Sequence, residues 1–268
     1  AVIHGARRYT YAELFSRCRR FAHALTKAGV KRGDTVAILA PNVPALLEAH
    51  YAVPMIGAVL NPINIRLDPA TIAFCLEHGE AKVFIADREF AKSVLPALEK
   101  LQTKPLVIDI ADPETEGAPA FGSTEYEDFL ATGDPNFVYP GPEDEWDSIC
   151  LLYTSGTTGN PKGCVHTHRS AMATTVIGAI WTLVPPDAVQ LITVPMFHVT
   201  GMQLCMNNSI YSGCTMVVTT RWDRRVALEL IQRHKVTNWR NISTMVIDML
   251  ADPDLGKYDL SSLKRIGG

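Results

Sequence analysis

The chain has 268 residues, 47% of them apolar and 20% charged, with a formal net charge of −3. This balance reads as soluble and globular, gives no overall basic footprint for nucleic acid or an anionic membrane, and contains no apolar run near the roughly 18 residues of an integral membrane segment. Six cysteines (Cys18, Cys75, Cys150, Cys164, Cys205, Cys214) include no C-x-x-C pair and sit mostly among apolar neighbours, which reads as buried free thiols in a reducing, cytoplasmic setting.

Thr10-Tyr11-Ala12-Glu13 has capping-box spacing, and Leu14, Cys18, Phe21 and Leu25 then form one apolar stripe that ends at Gly29. A short strand is expected over 36–40, then a helix from about Val43 whose last turn holds Pro54. Asp68-Pro69 reads as an N-cap followed by an N1 proline, opening a helix that stops at Gly79. Residues 82–86 read as strand, 88–101 as helix and 106–110 as strand. These nearly all-apolar strands alternating with helices are the pattern of a parallel sheet covered on both faces. Residues 111–147 turn to Pro, Gly and acidic residues and read as a solvated surface excursion with one amphipathic piece at 126–130.

The stretch Tyr153 to Gly163, YTSGTTGNPKG, follows an apolar run and precedes a strand-like one. Gly156 and Gly159 let the backbone approach a ligand closely, so successive N–H groups can form an anion nest. Thr154, Ser155, Thr157 and Thr158 add hydroxyls, and Lys162 adds a mobile cation suited to phosphate. It is not a Walker A motif, because Lys162 precedes Gly163 and a strand rather than a helix follows. A polar hairpin loop is the plainer reading of such a composition. Farther on, a helix is expected over 172–183, a strand over 189–194, a helix over 201–211 and a strand over 215–219. Asp223 caps a helix to His234, and 236–239 (strand), 243–250 (helix) and 264–266 (strand) complete the chain. Pro195 to Gly201, PMFHVTG, follows a strand and so lies at its carboxyl end, the edge where open α/β sheets bind ligands. His198 is the candidate polar group there, and a partly buried structural histidine is the alternative. His166 and His168 would share a strand face, but no third ligand stands at useful spacing, so no metal site is expected.

The eleven-residue string resembles the phosphate loop of the adenylate-forming superfamily, which comprises acyl- and aryl-CoA ligases, luciferases and peptide-synthetase adenylation domains. The P-x-F-H-x-x-G stretch, Tyr9 to Leu14, Pro54 to Pro62 and Asp259 to Gly268 also resemble that family, so the likeness runs end to end. It implies an α/β fold of two lobes, each a largely parallel sheet covered by helices on both faces. Residues 1–268 would form an incomplete N-terminal, AMP-binding domain, with 33–187 as one lobe carrying the loop and 1–32 with 188–268 as the other. The resemblance assigns ATP phosphate binding to Thr154, Ser155, Gly156, Thr157, Thr158, Gly159 and Lys162, catalytic roles to His198 and Lys162, and the acid pocket to His198, Gly201, Met202, Thr244 and Met245. Amino-acid-activating members place an acidic residue at the position of His198, because an ammonium group in a dry pocket needs a counter-charge. A fatty or aromatic acid is therefore expected, with ATP, Mg and CoA as co-substrates. The chain departs from the family at Asn241 to Thr244, where many members carry proline before the threonine.

The implied reaction joins the acid to AMP and passes the acyl group to CoA. The family's Y-G-x-T-E and T-G-D blocks and its small C-terminal domain are not found in these residues, so this N-terminal fragment is expected to be inactive alone. A non-catalytic nucleotide-binding module and a phosphotransferase are the alternatives, and neither explains the His198 segment. A homodimer is compatible with the sequence, which sets neither chain length nor oligomeric state.

Overall fold

The computed structural model describes residues 1–115, 118–139, 141–154, 160–182 and 184–267. In chain order the elements begin with β1 (Val2–His4), β2 (Arg7–Tyr9), α1 (Tyr11–Lys27), β3 (Thr35–Leu39), α2 (Pro44–Met55) and β4 (Val59–Pro62). They continue with α3 (Pro69–His78), β5 (Ala81–Asp87), α4 (Ala91–Lys100), β6 (Leu106–Ile110), β7 (Thr124–Glu125) and α5 (Tyr126–Ala131). Then come β8 (Ser148–Thr154), β9 (Lys162–Thr167), α6 (His168–Thr182), β10 (Val189–Ile192), a π-helix (Thr200–Asn207) and α7 (Asn208–Ser212). The last are β11 (Thr215–Val218), α8 (Arg224–His234), β12 (Asn238–Arg240), α9 (Ser243–Leu250) and β13 (Arg265–Gly267).

The chain divides into two units, residues 13–171 and residues 1–12 with 172–268. The first holds a sheet of order β7-β6-β5-β3-β4-β8-β9, parallel except that β9 runs antiparallel to β8. Period-two alternation sorts its strands: Ala37, Leu39, Phe84 and Ala86 pack against Ile72 and Leu76 of α3 and Val94 and Ala97 of α4. The Asp68 side chain accepts from the N–H groups of Ala70 and Thr71, which caps α3 as its sequence requires. Sequence grouped α1 with the other lobe. The bulk of this helix lies in the 13–171 unit because its apolar stripe is filled from that side: Phe21 meets Tyr126 at 5.2 Å and Phe129 at 6.3 Å, both edge to face.

The other unit holds a sheet of order β13-β12-β10-β11-β1-β2, parallel except for the β1/β2 hairpin. Its core includes Leu191, Met216, Val217, Ala227, Leu228 and Ile231. Both sheets are thus largely parallel, as the apolar runs imply.

Four expectations need correction. The 201–211 helix is a π-helix followed by the short α7. His168 opens α6 and does not share a strand face with His166 of β9, because the strand ends at Thr167. Cys164 is exposed, since it lies on the edge strand β9, while the other five cysteines are buried. The 111–147 excursion is not wholly solvated: Tyr126, Phe129 and Leu130 of α5 are buried against the core.

Candidate active site

The base of the glycine- and threonine-rich loop is built by β8 and β9. Seven residues can link only antiparallel neighbours, and the register pairs Tyr153 with Gly163 and Thr154 with Lys162. The Thr154 hydroxyl donates to the Lys162 carbonyl at 3.5 Å, closing the loop's mouth. Lys162 is exposed, so its ammonium is available to an anion. One residue further in, Tyr153 anchors the loop to α3: its hydroxyl lies 2.8 Å from His78 Nδ1, and its ring meets those of Phe74 and His78 edge to face. Burial pushes the Tyr153 phenol up to about 12, so it stays a neutral hydrogen-bonding group. Ser155, Gly156, Thr157, Thr158 and Gly159 lie outside the described residues.

The other sequence-selected residues lie in the unit of residues 1–12 with 172–268, at the carboxyl ends of β10 and β12. Past β10 the chain turns sharply, with His198 N–H donating to the Pro195 carbonyl at 3.1 Å and Met202 N–H to the His198 carbonyl at 2.9 Å. The Thr200 N–H donates to His198 Nδ1 at 3.3 Å. Nδ1 is thereby an acceptor, so the neutral imidazole carries its proton on Nε2, and the exposed ring presents a donor. Gly201 is required at this turn, since a Cβ there would stand 2.0 Å from the Pro195 carbonyl oxygen. A π-helix, with its extra residue per turn, starts at Thr200, and such geometry recurs at functional sites.

Met202 is buried and fills the core beneath the turn. Thr244 is exposed in the first turn of α9, whereas Met245 is buried. Met245 Sδ accepts from the Thr193 hydroxyl at 3.5 Å, and the same hydroxyl accepts from Trp239 Nε1 at 3.0 Å. Trp239 in turn stacks on Trp222 at 5.5 Å. This chain ties β10, β12 and α9 into one rigid edge. Ser243 is the first residue of α9, behind the extended Ile242. Proline also fits that position, so the departure from the family pattern leaves the backbone path intact.

Thr193 and Trp239 escaped sequence reasoning, because the partners stand 46 and 52 residues apart along the chain. Among the described residues no group of three or more His, Cys, Asp or Glu is placed to hold a metal ion. Magnesium, which usually keeps several waters and binds one or two carboxylates plus substrate phosphates, needs no such cluster.

An AMP-binding enzyme family model matches residues 1–268. An acetate/butyrate–CoA ligase of Arabidopsis thaliana, named as peroxisomal, is 43% identical over 251 residues, covering 89% of this chain and 44% of that protein. An acetate–CoA ligase of Humulus lupulus is 44% identical over 236 residues, 82% of this chain and 42% of that protein. The inhibitor-bound N-terminal domain of FACL13 from Mycobacterium tuberculosis superposes with a TM-score of 0.86 at 27% identity, covering all of this chain and 65% of that one. The chain thus spans less than half the length of these two curated relatives.

Proposed function

The chain belongs to the AMP-binding enzyme family, and on that premise we propose that the whole protein is an ATP-dependent acid–thiol ligase that makes acyl-CoA through an acyl-adenylate. The observation that carries this reading is the His198 turn, which holds an imidazole Nε2–H donor at the carboxyl edge of a parallel sheet. In the first step a carboxylate oxygen attacks the α-phosphorus of ATP, the new C–O–P link forms, and the bond to the β-phosphate breaks to release pyrophosphate. In the second, CoA sulfur attacks the acyl carbon and AMP leaves with the electron pair.

The chain's own part is electrostatic. Lys162, exposed at the loop mouth, offsets charge growing on the pyrophosphate. His198 donates from Nε2 to the carboxylate or the adenylate phosphate and so fixes the attacking oxygen. A neutral imidazole offers no counter-charge to a substrate ammonium, which favours a fatty or aromatic acid over an amino acid. The 268 residues by themselves are proposed to lack turnover, since the family's Y-G-x-T-E and T-G-D blocks are not among them. The reducing setting suggested by six unpaired thiols fits the cytoplasm, with the peroxisome of the Arabidopsis relative as the competing address.

The test is acid-dependent exchange of pyrophosphate into ATP by the whole protein. Lys162→Met is expected to raise KM for ATP, and His198→Ala to lower kcat by on the order of 100-fold. Release of ADP would identify a phosphotransferase instead, and tight ATP binding with no acid-dependent exchange a non-catalytic module.

A further inference from the structure

A groove of about 440 Å³ opens on one face of the β10/β12/β13 sheet. Its floor follows from strand register. Parallel pairing puts Gln190, Asn238 and Arg265 in one row and Ile192, Arg240 and Gly267 in the next, and partners in a row share a sheet face. Gly267 adds no side chain opposite Arg240, where a Cβ would find open space. Trp181 near the end of α6 and Leu204 of the π-helix supply apolar walls.

Two features set this groove apart from ordinary core. Gln190 is 2% exposed, and its buried side-chain oxygen Oε1 meets no hydrogen-bond donor among the described residues. A buried acceptor left so costs free energy unless something fills it. Arg240 also lines the groove and has no carboxylate partner among the described residues. Its charge reaches Cys205 in the π-helix, where it offsets part of the burial that pushes that thiol up to about 12. The floor thus offers one orphan acceptor and the Arg240 guanidinium beneath apolar walls, while the exposed Lys264 and Arg265 also line the groove.

We propose that this groove receives the far end of the acid and selects an acid bearing a terminal hydroxyl. A hydroxyl can donate to Gln190 Oε1 and accept from the Arg240 guanidinium; a carboxylate would set its lone pairs against that oxygen, and a methyl would leave both groups unpaired. The inference rests on the ligase reading for the ligand's identity as an acid. It does not need turnover to be tested.

The probes are two matched sets: butyrate, 4-hydroxybutyrate and succinate; octanoate, 8-hydroxyoctanoate and suberate. Binding to the chain is read from quenching of tryptophan emission, since Trp181 and Trp239 line the groove. In at least one set the hydroxy acid should bind at least about tenfold more tightly than its unsubstituted partner. Gln190→Leu and Arg240→Met should each bring the ratio to within about twofold. Gln190→Leu removes a buried acceptor without a partner, so its thermal midpoint should equal or exceed that of the parent, which separates lost recognition from lost folding. Equal binding within both sets, tighter binding of the dicarboxylate, an undiminished preference in either variant, or no binding by any acid overturns the proposal. Pyrophosphate exchange by the whole protein with octanoate or butyrate but without hydroxy-acid preference would leave the ligase reading standing and the groove inference fallen. Hydroxy-acid binding without exchange by any acid would do the reverse.

Discussion

Position 201 shows how a sequence signal and its physical cause can differ. In the sequence Gly201 reads as the tight turn of a family-like stretch. In the structure the reason is a carbonyl: any Cβ would stand 2.0 Å from Pro195 O, against backbone that cannot swing aside. Gly201→Ala is therefore expected to destabilise the protein by about 2 kcal/mol or more, as overpacking does, and to weaken acid-dependent exchange because the His198 ring loses its turn. Urea unfolding and exchange on the same variant check both. The turn from His198 to Gly201 was legible because its spacing is local. Thr193 was not, because its role as acceptor from Trp239 and donor to Met245 is set by strand order.

Between elements, helices α1, α2 and α5 are joined through one carboxylate. Glu48 is fully buried and accepts from Arg17 Nε at 2.6 Å and from the Tyr126 hydroxyl at 2.6 Å. Arg17→Met leaves that charge without its partner and is expected to cost about 3–5 kcal/mol, whereas the double variant Arg17→Met, Glu48→Met should recover most of the loss. Comparison of the denaturant midpoints decides it. At the end of β5 the balance is different. Asp87 accepts from the Glu89 N–H at 3.0 Å and from the Thr115 hydroxyl at 3.2 Å, yet burial pushes its carboxyl up to about 6. Its folded value thus lies above the unfolded one, so the folded chain binds the proton more tightly. The stabilisation is fully present below about pH 4 and is lost as pH rises through about 6. Asp87→Asn should remove that slope, changing the pH 4 to 7 stability difference by about 2–3 kcal/mol, as chemical denaturation at each pH would reveal. Element type was readable here, since Asp68 and Asp223 cap α3 and α8 as their neighbours require. The π-helix was not, for its apolar spacing is also that of an α-helix.

Across the whole molecule, the α/β class and the parallel pairing were written in nearly all-apolar strands such as β3, buried at every position. Sheet membership was not. The three-residue β1 pairs with β11, more than 200 residues later, and β4 slips between β3 and β8. Short strands carry too little periodicity to announce themselves. The loop-bearing hairpin sits at the outer end of its sheet for a topological reason, since β9 alone in that sheet returns antiparallel.

That position leaves Cys164, two residues beyond Lys162, as the single exposed thiol of the chain. A maleimide dye should therefore attach there selectively, with no cysteine replaced beforehand. If the hairpin grips triphosphate, adding ATP to the labelled protein will shift the dye's emission and adenosine will not; identical responses would mean that the hairpin does not sense phosphate.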